Sequence, residues 1–580
     1  MIEERDVYVT MRDGTRLAVD VYRPEGSGKY PVLYTCSLHN KDLQGPDIAD
    51  VVPPQPAHAP LWFGPVEAGD TRRFVANGYA HVIAQARGSA KSEGDYGAED
   101  TDHYDMIEWI TQQPWSDGKV GMAGISGFAG EQWRAAAQGH PALKAIFPYD
   151  ACSAYGGMFG FRDFNPGGVL HTFLYLLDIF STVHESRSVP GPLPEEQEAL
   201  WREAMRNPDY KMYINLYNIL TQKGQRTGAM YHILTNPWEP DGTVERAEEI
   251  FKGKIKVPFY TGSGAYAYTY KLHWLGAQHY FANVKQPRKL LFTGPAHLDR
   301  PFHQYNDEIV RWYDYWLKGV DNGIMDEPPV RYWVMGANEW RTGSDWPLPE
   351  TQWSKYYLGG WERLSAEEPR PAAEVGNALR EPDVYTQMPL KKTTKVERLR
   401  YMTDPLPHDV LVAGPISLTL YAEIDQADTN WIVVLKDVGP DVSVVTARVG
   451  ERNVPDTLPE RELTRGWLKA SYRALDADRS TPAEPFYKLT KDSIVPVTPG
   501  EIVKYEIQVL ATANQFKAGH RISLEICSLD VPTGIGAMTD VEYIPYHVCS
   551  SNTVTHKIYR DADRPSHLLL PIIPLNGESS

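Results

Sequence analysis

Two periodicities divide this chain. Over the first 150 residues or so, short unbroken apolar runs alternate with segments whose apolar positions recur every three to four residues. Residues 31–35 and 80–84 are runs of the first kind, the pattern of strands buried on both faces. Residues 102–113 are of the second kind, with Tyr104, Met106, Ile107 and Ile110 near helical spacing and Pro114 as a stop. Residues 120–125 read as another buried strand. Residues 131–138 read as an Ala-rich helix stopped by Gly139 and Pro141, and 143–147 as the next strand. The runs 257–261 and 289–293 continue the series. At the start, 7–10 and 16–22 flank Asp13-Gly14, a hairpin pair. Alternating strands and helices predict a mostly parallel sheet covered on both faces.

Between residues 153 and 255 the series is interrupted by aromatic-rich helical text and a charged stretch at 194–206. An insertion between two strands of such a sheet sits over their ends as a lid, and lids form part of substrate pockets. After residue 349 the helical period fades. Val503, Tyr505, Ile507 and Val509 alternate with Lys504, Glu506 and Gln508, and Ile522, Leu524 and Ile526 with Ser523 and Glu525. Thr498-Pro499-Gly500 and Ala518-Gly519 supply the turns, so an antiparallel β-sandwich is expected. The predicted division is an α/β core over 1–152 and 256–349, a helical cap over 153–255 and a sandwich over 350–580.

Composition narrows the function classes. The chain has 580 residues, so several domains are expected at roughly 100–200 residues each. Its formal net charge of −17 argues against a phosphate-backbone binder, so no nucleic-acid partner is expected. Cys36, Cys152, Cys527 and Cys549 form no close pair, which argues against a disulfide scaffold and a cysteine zinc site. Met1-Ile2-Glu3-Glu4-Arg5 lacks the apolar core of a signal peptide. The most lipid-like stretch, 173–180, holds Asp178 and falls well short of the ~20 residues a bilayer needs. A cytoplasmic enzyme without a membrane partner is expected. Neither a metalloprotease motif nor a P-loop nor a dinucleotide fingerprint is present, so no metal or cofactor is expected.

The strongest local signal is Val120-Gly121-Met122-Ala123-Gly124-Ile125-Ser126-Gly127-Phe128-Ala129. A strand runs into a serine between small residues and then into a helix. This reads as a nucleophile elbow, whose glycines permit the strained turn that exposes the hydroxyl of Ser126. The helix N-terminus favours developing negative charge, and the Gly127 N–H is placed to donate to an oxyanion. Phe128 stands where G-x-S-x-G has its second glycine. A serine needs a base, and in α/β-hydrolases the base follows the last strands of the sheet. Gly294-Pro295-Ala296-His297 follows such a strand, which makes His297 the candidate base and His303 the weaker alternative.

The segment from Trp115-Ser116-Asp117-Gly118-Lys119-Val120 through Ser126 to Gln132-Trp133 closely resembles the cocaine esterase family. That family includes the α-amino-acid ester hydrolases and is related to the X-Pro dipeptidyl-peptidases. The resemblance extends to Met11-Arg12-Asp13-Gly14, to Val334-Met335-Gly336-Ala337-Asn338-Glu339-Trp340-Arg341 and to Pro565-Ser566-His567. It implies an α/β-hydrolase core with a helical cap insertion and a C-terminal all-β jelly-roll-like sandwich. It also implies cofactor-free serine hydrolase chemistry on esters or amides through an acyl-enzyme.

Three positions depart from the family pattern. Its catalytic Asp falls at Ala267, and alanine cannot orient an imidazole. The acid has moved, or the triad is a dyad, or the chain is a binding or acyl-transfer protein on a hydrolase fold. A moved acid is reasonable, because it need only reach the far ring nitrogen of the histidine. Asp150, at the carboxyl edge of the strand beside the elbow strand, is the first candidate, and Asp299 follows it. The family's oxyanion-hole tyrosine falls at His39, in Cys36-Ser37-Leu38-His39-Asn40-Lys41, and an imidazole N–H can donate in its place. Gln85 stands where the family has an Asp, with no function evident from the sequence. The expected substrate is a small ester or amide. Phe159, Phe161, Phe173, Tyr175 and Phe180 in the insertion point to an apolar or aromatic one, although each can equally be lid core. Sandwich-bearing hydrolases often self-associate, which leaves a homo-oligomer open.

Overall fold

Strands that bury both faces must be flanked on both sides, and the first half of the chain builds such a layer. The computed structural model describes residues 1–49, 67–95, 101–151, 161–172, 194–221, 229–264, 271–293, 305–371, 381–449, 452–530 and 547–575. Its first sheet holds β1 (Ile2–Thr10), β2 (Arg16–Arg23), β3 (Tyr30–Ser37), β4 (Ala80–Gln85), β5 (Ser116–Met122), β6 (Leu143–Ile146), β7 (Phe259–Gly264), β8 (Arg288–Thr293), β9 (Val330–Val334) and β10 (Glu339–Gly343). The order is β1-β2-β4-β3-β5-β6-β7-β8-β9-β10. Every neighbouring pair from β4 to β9 is parallel. The two edges are antiparallel. All six residues of β4 and of β7 are buried, as the unbroken apolar runs require. The Asp13-Gly14 hairpin closes with Met11 N–H to Thr15 O at 2.8 Å and Gly14 N–H to Met11 O at 2.9 Å.

The helices are α1 (Pro46–Ala49), α2 (Thr71–Ala76), α3 (Asp102–Thr111) and α4 (Gly127–Gln138), with longer ones at Lys271–Asn283 and Asn306–Lys318. Two boundaries differ from the sequence pattern for a physical reason. β5 begins at Ser116, because Ser116 already pairs with Tyr30 of β3, and it ends at Met122. α4 begins at Gly127, before the Ala-rich stretch, because the elbow launches it.

Between β6 and β7 the chain forms the helical insertion, with Glu195–Arg206, Ile214–Thr221, Ala229–Thr235 and Thr243–Glu249 as its longer described helices. Phe161, Phe164, Tyr210, Tyr213 and Leu216 form its buried centre, so Phe161 is lid core. Phe159, Phe173, Tyr175 and Phe180 lie outside the described residues. Arg162 fixes the insertion to the rest of the molecule. It donates to Glu239 at 2.6 and 2.8 Å and to the Tyr487 carbonyl at 2.8 Å.

Among the described residues, the C-terminal part is an eleven-stranded all-β sandwich that closes on itself, because His567–Ile573 pairs with both Gln352–Gly359 and Val410–Ile424. Leu418, Trp431, Tyr505, Ile507 and Leu524 fill its interior. It is locked to the first sheet through Met335, which follows β9. Met335 N–H donates to Ala513 O at 3.0 Å, and Gln515 N–H donates to Met335 O at 2.8 Å. Gly336, at φ +79°, allows this approach, since a Cβ there would lie 2.1 Å from the Gln515 carbonyl oxygen. No helix of the described residues is long and apolar enough to cross a membrane.

Candidate active site

At the carboxyl edge of β5 the chain turns sharply into α4, with Ser126 at the turn. Ser126 has φ 55° and ψ −116°, a conformation that L-residues avoid and that marks stored strain at a functional turn. Its N–H donates to Tyr149 O at 3.1 Å, and its carbonyl accepts from Ala129 and Gly130 at 3.0 and 3.1 Å. A serine preceding a helix normally caps it through its own oxygen. The Ser126 side chain makes no such bond, and the residue is half-buried. The Gly127 N–H opens α4, where no preceding helical carbonyl can take it.

Gly124 and Phe128 explain the irregular motif. Gly124 has φ +109°, and a Cβ there would lie 2.5 Å from the Cβ of Phe128. Phe128 is fully buried among Tyr22, Ala68, Val75 and Ile83. The room that the usual second glycine would give is supplied by Gly124. Gly124→Ala is expected to lower stability by roughly 2–4 kcal/mol, from overpacking plus backbone strain. Urea unfolding with an unchanged slope would measure it.

Asp150 follows β6 immediately. It is fully buried and holds φ 55°. Its N–H donates to Gly262 O at 2.8 Å, and its Oδ1 accepts from Gly264 N–H at 3.1 Å. The carboxyl group thus spans the ends of β6 and β7. Burial pushes it well above the usual carboxylate range. The neighbouring Ser263 hydroxyl and the Gly264 N–H oppose that rise, and the nearby Glu67 carboxylate adds to it. Tyr149 ties the same edge to β8 through a 2.5 Å hydrogen bond to the Thr293 hydroxyl. His297, His303 and Asp299 follow β8 but lie outside the described residues, as does Ala267 beyond β7.

His39 lies on the other flank of the elbow, in the loop after β3. Its ring centroid is 6.0 Å from that of Phe128. Gln85, unexplained by the sequence, holds this loop. It accepts from Lys41 N–H at 2.8 Å and donates to Leu38 O at 3.0 Å. Three carboxylates that sequence spacing does not bring together, Asp6, Asp20 and Asp42, converge in the fold. They surround the Lys41 ammonium at 2.6, 2.7 and 2.7 Å. Burial opposes the Lys41 charge, but these hydrogen bonds outweigh it and raise the ammonium above its ordinary value. The cluster is therefore filled by a cation of the chain itself, and it anchors the His39 loop.

Sequence reasoning missed Glu67, which lies beyond a Pro-rich segment and carries no motif. Its carbonyl accepts from Ile125 N–H at 3.0 Å, one residue before the nucleophile position. Its own N–H donates to the Gln44 side-chain oxygen at 2.7 Å, which joins it to the His39 loop. Its carboxylate, fully buried, lies 3.6 Å from His39 Nε2. A cleft of about 240 Å³ on the sandwich is lined by Tyr357, Trp361 and their neighbours. Its Arg363, Arg560 and Glu368 are engaged with Asp404, Asp383 and Tyr357.

Comparison with known proteins agrees with this fold. Residues 13–299 match the X-Pro dipeptidyl-peptidase (S15 family), and residues 322–569 match the X-Pro dipeptidyl-peptidase C-terminal non-catalytic domain. The cocaine esterase of Rhodococcus sp. (strain MB1 Bresler) is 27% identical, covering 98% of each chain. A CocE/NonD family hydrolase from Staphylococcus aureus superposes with a TM-score of 0.75 at 22% identity, covering 99% of this chain and 94% of that one. An α-amino acid ester hydrolase superposes with a TM-score of 0.69 at 19% identity, covering 98% and 96%. With an α/β-hydrolase sheet, a helical cap, a C-terminal all-β sandwich and a strained serine at the elbow, this chain belongs to the cocaine esterase and X-Pro dipeptidyl-peptidase family and is a serine hydrolase of ester or amide bonds.

Proposed function

We propose that this chain cleaves the carboxylic ester of a small, apolar or aromatic molecule through an acyl-enzyme on Ser126. His297 takes the serine proton as the hydroxyl attacks, and it returns that proton to the leaving alcohol. Asp150 orients the imidazole and stabilises its charge. The Gly127 N–H and His39 stabilise the tetrahedral oxyanion. Water then repeats the sequence on the acyl-enzyme. The observation that carries this reading is the uncapped Ser126, held at φ 55° and ψ −116° with its N–H on the carbonyl of Tyr149, the residue before Asp150. His297 is assigned from its place after β8. β8 adjoins β7, over whose end the Asp150 carboxyl lies.

Turnover of a panel of aryl, alkyl and amino-acid esters and amides tests the reading. A burst followed by steady hydrolysis of aryl esters, with fluorophosphonate labelling of Ser126, is expected. Labelling with a burst and no turnover, relieved by an added alcohol or amine, would instead indicate acyl transfer. Absence of labelling would favour a binding protein on this fold, the reading that Ala267 suggests.

A further inference from the structure

We infer that Gln132 is a positioning residue for the nucleophile: its side-chain amide is inserted as a rung between the ends of β5 and β6 and sets the spacing of the Ser126 turn from the Asp150 edge. The inference rests on the serine hydrolase reading and extends it to a residue outside the reacting groups. Three observations meet at this point. The β5–β6 pairing runs as far as Met122 with Ile146 and resumes at an isolated bridge between Ile125 and Tyr149. Gln132, fully buried in the second turn of α4, reaches the interval between them. Its Nε2 donates to Gly124 O at 2.9 Å, and its Oε1 accepts from Phe147 N–H at 2.8 Å. That same N–H meets its ladder partner, Met122 O, at 3.3 Å, so the side chain is the nearer acceptor.

The need for such a rung follows from the elbow. A strand that leaves its ladder to make a strained turn loosens its backbone bonds, and buried backbone groups require partners. A primary amide carries a donor and an acceptor on one rigid plane, so a single Gln side chain serves two strands at once. A carbonyl can only accept and an N–H can only donate, so the two backbone partners fix which end of the amide faces which strand. The bond to Gly124 holds the residue two before Ser126, and the bond to Phe147 holds the residue three before Asp150. Ser126 N–H closes the far side of the interval on Tyr149 O at 3.1 Å. α4 starts at the elbow itself, so Gln132 ties the helix behind the nucleophile to both strand ends. Buried and bonded to backbone on both sides, Gln132 acts through the elbow and not on substrate. A displacement of about 1 Å at a reacting group costs roughly a hundredfold in rate.

The test is the burst phase with p-nitrophenyl acetate in wild type, Gln132→Met and Gln132→Glu, expressed per active site counted by end-point fluorophosphonate labelling. Gln132→Met keeps the length of the side chain and removes both bonds. It should lower the saturating burst rate about a hundredfold and leave the half-saturating concentration within about threefold, because no contact with substrate is lost. A residue that serves stability alone would lower the number of active sites and leave the rate of each unchanged, so a loss under about tenfold per site overturns the inference. Gln132→Glu supplies a rescue that depends on the donor. Protonated, its carboxyl accepts from Phe147 N–H and donates to Gly124 O; ionised, it has no donor. Burial raises such a carboxyl, so it ionises within the range of the assay. Its burst rate relative to wild type should be within about fivefold at pH 6 and should fall at least tenfold by about pH 9.5. A ratio that stays flat overturns the inference. Circular dichroism reports whether each variant folds, and Gln132→Glu carries the test alone if Gln132→Met does not. Wild-type labelling with unaltered variant rates rejects only the rung. No labelling in the wild type rejects the serine reading and this inference together.

Discussion

Ser126→Ala is expected to lower turnover on every cleaved ester by about a million-fold and to abolish both burst and fluorophosphonate labelling. Loss of the nucleophile in a serine hydrolase has an effect of about this size. The fold should survive the change. The Ser126 side chain caps nothing, and its backbone bonds to Tyr149, Ala129 and Gly130 do not involve the hydroxyl. The strain at φ 55° and ψ −116° remains in the alanine variant, because alanine also has a Cβ. Ser126→Gly should relieve it. Strain of this kind amounts to about 1–3 kcal/mol, and the extra freedom of glycine when unfolded offsets about 0.5–1. The glycine variant should therefore be inactive and more stable by roughly 1 kcal/mol in urea unfolding. Two inactive variants, with the glycine one more stable, would show strain held at this residue for the sake of activity. An alanine variant within tenfold of wild-type turnover would remove Ser126 from the chemistry.

What could be read in advance depended on how local the determinant is. The parallel sheet was legible because strands such as β4 and β7, buried on both faces, must be apolar throughout. The sandwich was legible because alternate residues of Val503–Phe516 face its interior, as Tyr505 and Ile507 do. β10 was not. All five of its residues are at least partly exposed at the sheet edge, where little in the apolar pattern distinguishes a strand from a loop. The elbow was legible because its strain demands glycine at position 124. The role of Gln85 was not, because it lies in bonds to Lys41 and Leu38, formed only when β3 and β4 pair. Glu67 was hidden for the same reason. Its significance is its distance to His39 and its bond to the strand end, and neither leaves a spacing in the sequence. The Asp6, Asp20 and Asp42 cluster likewise forms only in the fold. Three converging carboxylates suggest a metal until the fold places Lys41 among them.

Asp150→Asn is expected to lower kcat about ten-thousand-fold, the usual effect of replacing the acid of a triad by its amide. The amide presents N–H where the carboxylate accepts, and so favours the wrong imidazole tautomer. The stability response separates this role from a purely structural one. Burial raises the Asp150 carboxyl well above its ordinary value, so folding is opposed wherever the group must ionise. A carboxyl raised in the folded state contributes stability that is fully present below its unfolded value, near 3.9, and that is lost as pH rises through the folded value. Wild type should therefore lose stability on going from acid to alkaline pH through this group, and Asp150→Asn should not. Asparagine can still accept from the Gly264 N–H through its carbonyl oxygen, so the local backbone is kept. The expected result is an enzyme nearly without turnover whose Tm, relative to wild type, increases as pH is raised. Scanning calorimetry between pH 5 and 9, alongside ester hydrolysis, measures both. An amide variant with near wild-type turnover would move the acid elsewhere, with Asp299 the next to replace. One that is inactive and less stable at every pH would mean that Asp150 serves the fold alone.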